Sequence, residues 1–393
     1  MKMPVYLDNN ATTPIDPRVT EVMQPYFNEQ FGNASSSSHA YGWNAKKAVK
    51  IAREQVAQLI GADSDEIIFT SGATESNNLA ILGYLFNFLC PTKITEEVPH
   101  FITSAIEHKA VFEVGERLKE WGCEVTFLDP DSLGRISAEQ VRAAIRPNTK
   151  LISIMWANNE IGTINPIEEI SQICQEKGIP FHTDAAQAVG KVGLNVKEMG
   201  IDLLSLSAHK IYGPKGIGAL YIKRKDPEIK ITPFTVGGSQ ERGIRPGTLN
   251  VPGIVGLGMA CQILQNEGSQ EKERIKSMQS HLIKEVLAHC PGAQLNGHPT
   301  ERLYNNISFS FSRVHPEDFA LGLSGLAISS SSACSSNASA PSYVLKSIGL
   351  SDELALATIR IGLGRFTQQS DLDLALQKII KMHSNIKHLE PNT

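Results

Sequence analysis

The chain has 393 residues, a formal net charge of −4 and 41% hydrophobic residues. This length suffices for two domains that share a substantial core, and the lack of a basic stripe argues against a dedicated nucleic-acid-binding protein. No apolar run reaches the length of a membrane span, and the N-terminus carries no charged-then-apolar leader. We therefore expect a globular protein of the cytoplasm without nucleic-acid or membrane partners.

The six cysteines are scattered along the chain, without a Cys-x-x-Cys pair or a His/Cys cluster at the spacing of a zinc site. We therefore expect no bound metal. In a reducing cytosol most of these thiols should be free and buried.

Two polar stretches come early in the chain. Residues 7–14, Leu-Asp-Asn-Asn-Ala-Thr-Thr-Pro, and residues 31–39, rich in Gly, Asn and Ser, are on their own typical of loops. Residues 45–60 then place apolar side chains at helical spacing, and Gly61 is expected to cap the end of this helix.

From there short apolar strands alternate with helical stretches. The predicted strands cover residues 66–70, 101–104, 125–128, 151–155, 181–184 and 202–207. The predicted helices between them run after residue 76 through residue 81, after residue 109 to residue 121, around 138–145 and over 167–177. This alternation predicts right-handed crossovers and an α/β fold with a doubly wound, mainly parallel sheet. In such a sheet the ligand lies beyond the carboxyl ends of the strands.

Polar side chains collect at these strand ends. The turn at 71–74 lies at a strand-to-helix junction, where a helix N-terminus favours a phosphate. Asp184 ends a strand and could hold a pyridine nitrogen, Gln187 could reach the ring's phenolic oxygen, and His108 could stack on the ring and move protons. Each has an ordinary alternative: an N-cap at Thr74, a turn residue at Asp184, a core histidine at His108. Their joint occurrence favours a site.

The last of these strands runs into Ser207-Ala-His-Lys. A lysine held just past a buried strand has a lowered pKa and is nucleophilic toward carbonyls. Ser207 and His209 could donate to a phosphate. The stretch predicts a pyridoxal phosphate (PLP) site with Lys210 as the Schiff-base lysine. The alternative is a surface lysine that follows a strand.

After residue 255 the pattern changes. A long polar helix at about 270–288, a strand at 305–311 and a helix near 316–323 predict a smaller α+β domain, packed with the first fifteen residues. We therefore assign residues 16–255 to a large domain and residues 1–15 with 256–393 to a small one.

The stretch from residue 329 to residue 342 contains eight serines and Cys334. Small polar residues on both sides predict a mobile loop with an exposed thiol. Beside a PLP site, such a thiol could attack the sulfur of a substrate cysteine and leave as a persulfide. The alternative is a flexible linker with an incidental thiol.

Arg360 lies in a predicted strand, Ile-Arg-Ile-Gly-Leu-Gly-Arg-Phe. A guanidinium offers two parallel donors to a carboxylate, so we expect Arg360 to bind the substrate carboxylate with the assistance of Asn159. Two alternatives stay open: an internal ion pair for Arg360, or Arg365 in its place.

Taken together, these motifs resemble those of fold-type I PLP enzymes, and most closely cysteine desulfurases of the NifS/IscS type. The residues that carry the resemblance are Leu7–Pro14, Phe69–Ser76, Glu107-His-Lys, Asn158-Asn-Glu-Ile-Gly and the lysine motif, and the similarity covers nearly the whole chain. The resemblance implies PLP bound to Lys210, with Asp184 and Gln187 tuning the ring and His108 stacked on it. The further cofactor contacts that it implies are Ala73, Thr74, Asn159, Ser207, His209 and, from the neighbouring subunit, Thr248.

The resemblance also implies a reaction and partners. L-Cysteine would become L-alanine, with the sulfur carried as a persulfide on Cys334 to an iron–sulfur scaffold or sulfur carrier, and the enzyme would be a homodimer with shared active sites. A selenocysteine lyase, another fold-type I lyase or aminotransferase, and a non-catalytic scaffold are the alternatives. Two departures from the family stand out: Ala34 replaces its usual proline, which predicts a looser loop, and the chain stops at Thr393, which leaves the acceptor protein open.

Overall fold

A computed structural model describes residues 3–89, 98–225, 227–312, 314, 322–330 and 340–387. In chain order the first elements are β1 (Val5–Tyr6), α1 (Pro17–Met23), α2 (Pro25–Asn28), α3 (Ala40–Ile60), β2 (Ile67–Thr70), α4 (Ala73–Leu89), β3 (His100–Ser104), α5 (Lys109–Glu120), β4 (Glu124–Leu128), α6 (Ala138–Ala144), β5 (Thr149–Ser153), α7 (Ile167–Lys177), β6 (Phe181–Asp184), β7 (Leu203–Ser207) and β8 (Gly218–Ile222). The elements that follow are α8 (Val251–His289), β9 (Ala293–Leu295), β10 (Asn306–Phe311), β11 (Leu326–Ala327), β12 (Ser329–Ser330), α9 (Tyr343–Ser347), α10 (Asp352–Leu356), β13 (Thr358–Gly362) and α11 (Gln369–Lys387).

Seven of these strands form one sheet, in the order β2-β8-β7-β6-β5-β3-β4. The ladders from β4 to β7 are parallel, whereas β8 is antiparallel to both β7 and β2. Successive residues point to opposite faces of a strand: Ile67 and Phe69 join the core shared with α3 and α8, and Ile68 joins the core shared with α4 and α5. The predicted doubly wound, mainly parallel α/β sheet is confirmed.

The predicted strands and helices of this sheet agree with the structure to within a few residues. Helix α7 has the predicted bounds, and α3 ends at Gly61, which has the left-handed φ of 73° expected of a C-terminal cap. Helix α3 begins earlier than predicted because the His39 side chain accepts from the Gly42 N–H and caps it. Strand β8 was not predicted. Its residues follow Gly213 and Gly216, and these glycines make the short apolar run look like part of a turn.

Helix α8 corrects the prediction of a helix at about 270–288. It spans 39 residues and begins at Val251, where the Asn250 side chain accepts from the Gly253 N–H. Glycines weaken helical propensity, and two of those in its first half, Gly256 and Gly258, are explained by packing. A Cβ on Gly258 would lie 2.6 Å from the Cα of Ala52 in α3, so only glycine lets these two helices approach. The predicted boundary after residue 255 falls inside this helix.

A second sheet has the order β12-β13-β10-β9 and is antiparallel throughout. The N-terminal β1 pairs in parallel with β11. Helix α8 contributes its first half to the core of the large sheet and Ile275, Leu282 and Val286 to the core of the second sheet. The division into domains at 16–255 and at 1–15 with 256–393 stays a prediction.

Two predicted features fall largely outside the described residues. The helix near 316–323 is one, and most of the serine-rich loop at 329–342, with Cys334, is the other. The first two residues of that loop, Ser329 and Ser330, form strand β12 instead. Within the described ranges, no helix is long and apolar enough to cross a membrane. The cytoplasmic location stays a prediction.

Candidate active site

A cavity of about 870 Å³ opens at the carboxyl ends of the parallel strands. It is closed on one side by residues 10–12, which follow β1, and on another by β13. Its lining includes these predicted site residues: Ala73, Thr74, His108, Asn159, Asp184, Gln187, Ser207, His209, Lys210 and Arg360. Thr248 is exposed and does not line it, and Cys334 lies outside the described residues.

Lys210 lies in the first turn after β7, as predicted. Its Nζ donates to the carbonyl oxygens of Asn10 and Ala11, both at 2.7 Å. Burial, and then the positive charges of Arg360 and Lys191, lower the pKa of Lys210 to about 7. The neutral amine, the form that attacks carbonyls, is therefore accessible near neutral pH.

Lys191 supplies one of those charges and was not predicted. Its Nζ donates to the carbonyl oxygen of Gln187 at 3.1 Å and, at 3.4 Å, to that of Lys210. One ammonium thus ties together the backbones of two cavity residues. Burial lowers its own pKa to about 8.

Asp184 ends β6 with its carboxylate held in place. Oδ2 accepts from Asn77 Nδ2 at 2.7 Å, and Oδ1 accepts from the Ala186 N–H at 2.9 Å. These two donors fix the direction of the carboxylate, which is nearly buried. Asn77 lies one turn inside α4.

Glu107 is a fully buried carboxyl for which the sequence predicted no role of its own. Its Oε1 accepts from Ser104 Oγ and from the Met155 N–H, both at 2.8 Å, while Oε2 has no partner. Burial raises the pKa of Glu107 to about 8, and the charge of Asp184 adds to the rise. At neutral pH Glu107 is therefore mostly a neutral acid.

Gln187 follows Asp184 by one turn and contacts the N-terminal segment. Its Nε2 donates to the Asn10 carbonyl oxygen at 2.8 Å, and its Oε1 accepts from Asn10 Nδ2 at 3.4 Å. The Oδ1 of Asn10 is buried and has no hydrogen-bond partner. This part of the cavity wall therefore holds an unmatched acceptor.

The opposite end of the cavity combines a helix N-terminus with two polar side chains. Helix α4 begins at Ala73, directly after Gly72, whose φ of 153° suits only glycine. The first N–H groups of a helix lack intrahelical partners and favour anions. Ser207 and His209 line the same end, and burial with the nearby charge of Lys210 lowers the pKa of His209 to about 4. His209 is therefore a neutral donor at pH 7.

His108 is the N-cap of α5. Its Nδ1 accepts from the Ala110 N–H at 3.1 Å, so in the neutral ring the proton is on Nε2. The prediction placed His108 at a strand end, and the structure places it four residues beyond β3. Its ring lines the cavity, as a stacking or proton-transferring residue requires.

Arg360 enters the cavity from β13. Its Nη1 donates to the Asn159 carbonyl oxygen at 2.9 Å, and its Nη2 donates to Asp8 Oδ1 at 2.9 Å and to Ser329 Oγ at 2.7 Å. Its Nε is buried without a partner. The internal ion pair that was an open alternative for Arg360 is therefore present, and it leaves the Nε donor without a partner.

Arg365, the other candidate for the substrate carboxylate, serves a different purpose. It pairs with Asp16 and with Glu271, both at 2.7 Å, and its guanidinium lies 4.2 Å from the centre of the Tyr212 ring. It does not line the cavity. Both carboxylate partners are nearly buried, so Arg365 is a structural ion-pair residue.

Comparison with known proteins identifies the family. Residues 5–375 match the model of the aminotransferase class-V family. The chain belongs to the aminotransferase class-V family. A protein of Anaeromyxobacter dehalogenans named "Cysteine desulfurase IscS" is 45% identical over 391 residues, which is 100% of this chain and 95% of that protein.

Solved structures agree with this class-V assignment. One named "NIFS-LIKE PROTEIN" superposes with a TM-score of 0.88 at 35% identity, over 98% of this chain and 100% of that one. Another, "SspA in complex with cysteine", has a TM-score of 0.81 at 41% identity, over 91% of this chain and 98% of that one. The predicted resemblance to NifS/IscS-type cysteine desulfurases and the predicted fold-type I architecture are both confirmed.

The cysteines that the structure describes in this class-V chain do not suit a nucleophile. Cys123, Cys174, Cys261 and Cys290 are all buried, and burial raises the pKa of Cys123 and of Cys261 to about 12. A thiol acts through its thiolate, so these residues are inert near neutral pH. Cys90 and Cys334 lie outside the described residues.

Sequence reasoning missed the parts of the site that act through the backbone or through distant elements. The carbonyl groups of Asn10 and Ala11 hold Lys210, but a carbonyl leaves no trace in the residue type. Lys191 has a weak signal, because it follows Gln187 by four residues on the same local turn. Asn77 could have been found from its place one turn into the helix that follows the 71–74 turn.

Proposed function

We propose that this chain is a cysteine desulfurase that uses PLP. In balanced form, L-cysteine and the thiol of Cys334 give L-alanine and the persulfide of Cys334. The observation that supports this most is the joint presence in one cavity of an amine with a pKa of about 7, Lys210, and a cation with unused donors, Arg360. The activity of the named relatives points the same way.

The cavity residues fit PLP. The N-terminus of α4 with Ala73 and Thr74, together with Ser207 and His209, would bind the phosphate. Asp184, oriented by Asn77, would accept the ring N–H. His108 would pack against the ring, and Asn159 and Gln187 would border it. The orphaned Oδ1 of Asn10 marks a place where the wall lacks a donor that a ligand could provide.

Bound PLP supplies an aldehyde that condenses with amines and a ring that stabilises negative charge at the substrate Cα. Around it, Lys210 has two tasks. Its neutral Nζ would be the amine that holds the cofactor, and it would later accept the proton from the substrate Cα. Its pKa of about 7 suits both tasks near neutral pH.

Arg360 would orient the substrate through its carboxylate, with Asn159 holding the guanidinium by its carbonyl group. This contact fixes which bonds of the substrate face Lys210 and which face outward. Cys334, as thiolate, would attack the substrate sulfur while the Cβ–S bond breaks. His108 would donate the proton that Cβ gains, from its Nε2–H.

The partners of the enzyme are part of the same proposal. Thr248, exposed and outside the cavity of its own chain, would reach the phosphate in the site of a second copy, so that a homodimer shares its sites. The persulfide would pass to a sulfur-acceptor protein, such as an iron–sulfur scaffold or a sulfur carrier.

A matched set of variants tests the reaction. Wild type, Cys334→Ser and Cys261→Ala would each be reconstituted with PLP and given L-cysteine with a reductant, and alanine and sulfide would be assayed. We expect wild type and Cys261→Ala to make both products and Cys334→Ser to make neither at a comparable rate. Equal rates in Cys334→Ser would refute the role of Cys334.

Lys210→Ala and a competing substrate complete the test. Without the amine, the protein should lose the absorption of bound PLP as well as its activity. An α-keto acid in place of alanine would indicate an aminotransferase. A large preference for L-selenocysteine over L-cysteine would indicate a selenocysteine lyase.

A further inference from the structure

Asp8 forms an ion pair with Arg360, the cation that would bind the substrate carboxylate. Its Oδ1 accepts from Arg360 Nη2 at 2.9 Å and from Ser329 Oγ at 2.9 Å. The side chain of Arg360 is 12% exposed and that of Asp8 is 20% exposed. A pair this well shielded from water is not screened as a surface pair is.

The three side chains form a closed triangle. Ser329 Oγ donates to Asp8 and accepts from the same Nη2 that Asp8 holds, at 2.7 Å. The pairing of β12 with β13 places Ser329 directly opposite Arg360. Asp8 and Ser329 therefore both accept from Nη2 of the guanidinium.

A bidentate carboxylate needs two parallel N–H groups of one guanidinium edge. Both edges that offer such a pair include Nη2, either with Nε or with Nη1. Nη1 already donates to the Asn159 carbonyl group, and Nε is buried without a partner. A substrate carboxylate can therefore engage Arg360 with two bonds only if Nη2 is released.

We propose that Asp8 is an internal competitor for Arg360, whose carboxylate the substrate carboxylate must displace and which thereby sets the affinity for substrate. The inference rests on the proposed function, in which Arg360 binds that carboxylate. It assigns to Asp8 a role that its position in an apparently ordinary loop did not suggest.

The backbone of Asp8 can lose this side-chain contact without losing its place. The Leu7 and Asn9 N–H groups donate to the carbonyls of Ala327 and Gly362, and Asp8 forms a bridge with Gly362. These bonds hold the segment on both sides. A neutral residue at position 8 should therefore leave the fold intact and free Arg360.

The test compares two probes on PLP-reconstituted enzyme. 3-Mercaptopropionate has a carboxylate but no amine, and cysteamine has an amine but no carboxylate. In Asp8→Asn the inhibition constant of 3-mercaptopropionate should fall about tenfold, because the competing ion pair is gone, whereas that of cysteamine should not change. The KM for L-cysteine should fall in parallel.

Glu75→Gln is the matched control. Glu75 lines the same cavity but pairs with Arg245, so its substitution removes a negative charge without releasing Arg360, and 3-mercaptopropionate should not bind more tightly. Asp8→Ser is a second variant in case the amide does not fit, and the same tightening is expected.

The outcomes separate the two levels of the argument. If Arg360→Gln does not weaken 3-mercaptopropionate, the assignment of Arg360 fails and this inference fails with it. If Arg360→Gln weakens it but the Asp8 variants leave it unchanged or weaken it too, Arg360 keeps its role and Asp8 merely positions it. That result would overturn the inference alone.

Discussion

The charge of Lys191 is expected to contribute to the lowered pKa of Lys210. In Lys191→Met the ammonium is lost from the position where it contacts the Lys210 carbonyl group. The pKa of Lys210 falls from 10.5 to about 7 through burial first, then Arg360, then Lys191. Since Lys191 is the smallest of these three contributions, its removal should raise the pKa of Lys210 by at most roughly one unit, or about 1.4 kcal/mol.

The direction follows from which form of the amine reacts. A protonated amine cannot attack an aldehyde, so the rate at which apoprotein captures PLP should rise with pH through the pKa of Lys210. In Lys191→Met this rise should move to higher pH by at most roughly one unit. Burial lowers the pKa of Lys191 itself to about 8, so the difference from wild type should be largest below that pH.

The assay is the pH dependence of PLP capture, followed by absorption. Lys191→Arg keeps the charge and should keep the wild-type profile. Lys215→Met removes another cation of the same cavity, whose charge acts on His209, and should not move the profile either. A profile of Lys191→Met that coincides with wild type, or shifts to lower pH, would refute the electrostatic reasoning.

Three further predictions concern stability, each measured by urea unfolding. Arg365→Gln should cost about 3 kcal/mol, because it leaves the buried Glu271 carboxylate without its ion-pair partner while Asp16 keeps Arg18, with little effect on KM. His182 is fully buried, and burial lowers its pKa from 6.5 to about 3. As pH falls below 6.5 the unfolded chain is protonated at this histidine before the folded chain is, so the free energy of unfolding decreases. His182→Gln should therefore lose less stability than wild type between pH 7 and pH 5. Gly258→Val should cost about 1–3 kcal/mol through overpacking against Ala52, whereas Gly268→Ala, with only distant neighbours, should gain up to about 1 kcal/mol.

Much of the fold was predictable because the strands of the large sheet are short apolar runs separated by amphipathic helices. This periodicity depends only on residues that are close in the chain, so it can be recognised from the sequence alone. Strand β8 and the first half of α8 were missed for a common reason. Their glycines lower local propensity, and the compensation comes from α3 and from the neighbouring strands, which are remote in the chain.

The site was predictable where chemistry depends on a side chain at a strand end, as with Lys210 and Asp184. It was not predictable where two residues of the same type lie close together. Arg360 and Arg365 are five residues apart, and only the position of Asp16 and Glu271 in space shows that Arg365 forms its ion pairs away from the cavity. Likewise, the proposed role of the Asp8 carboxylate depends on strand β13, which brings Arg360 next to it.

Helix α8 also affects how the protein unfolds. At 39 residues it runs without interruption from the core of the large sheet into that of the second sheet, about 58 Å at 1.5 Å per residue. If either core unfolded alone, one half of α8 would lose the side chains that it packs against, and a helix exposed in this way is marginal in water. The two cores are therefore thermodynamically linked through a shared backbone, and heating should produce one cooperative transition instead of two.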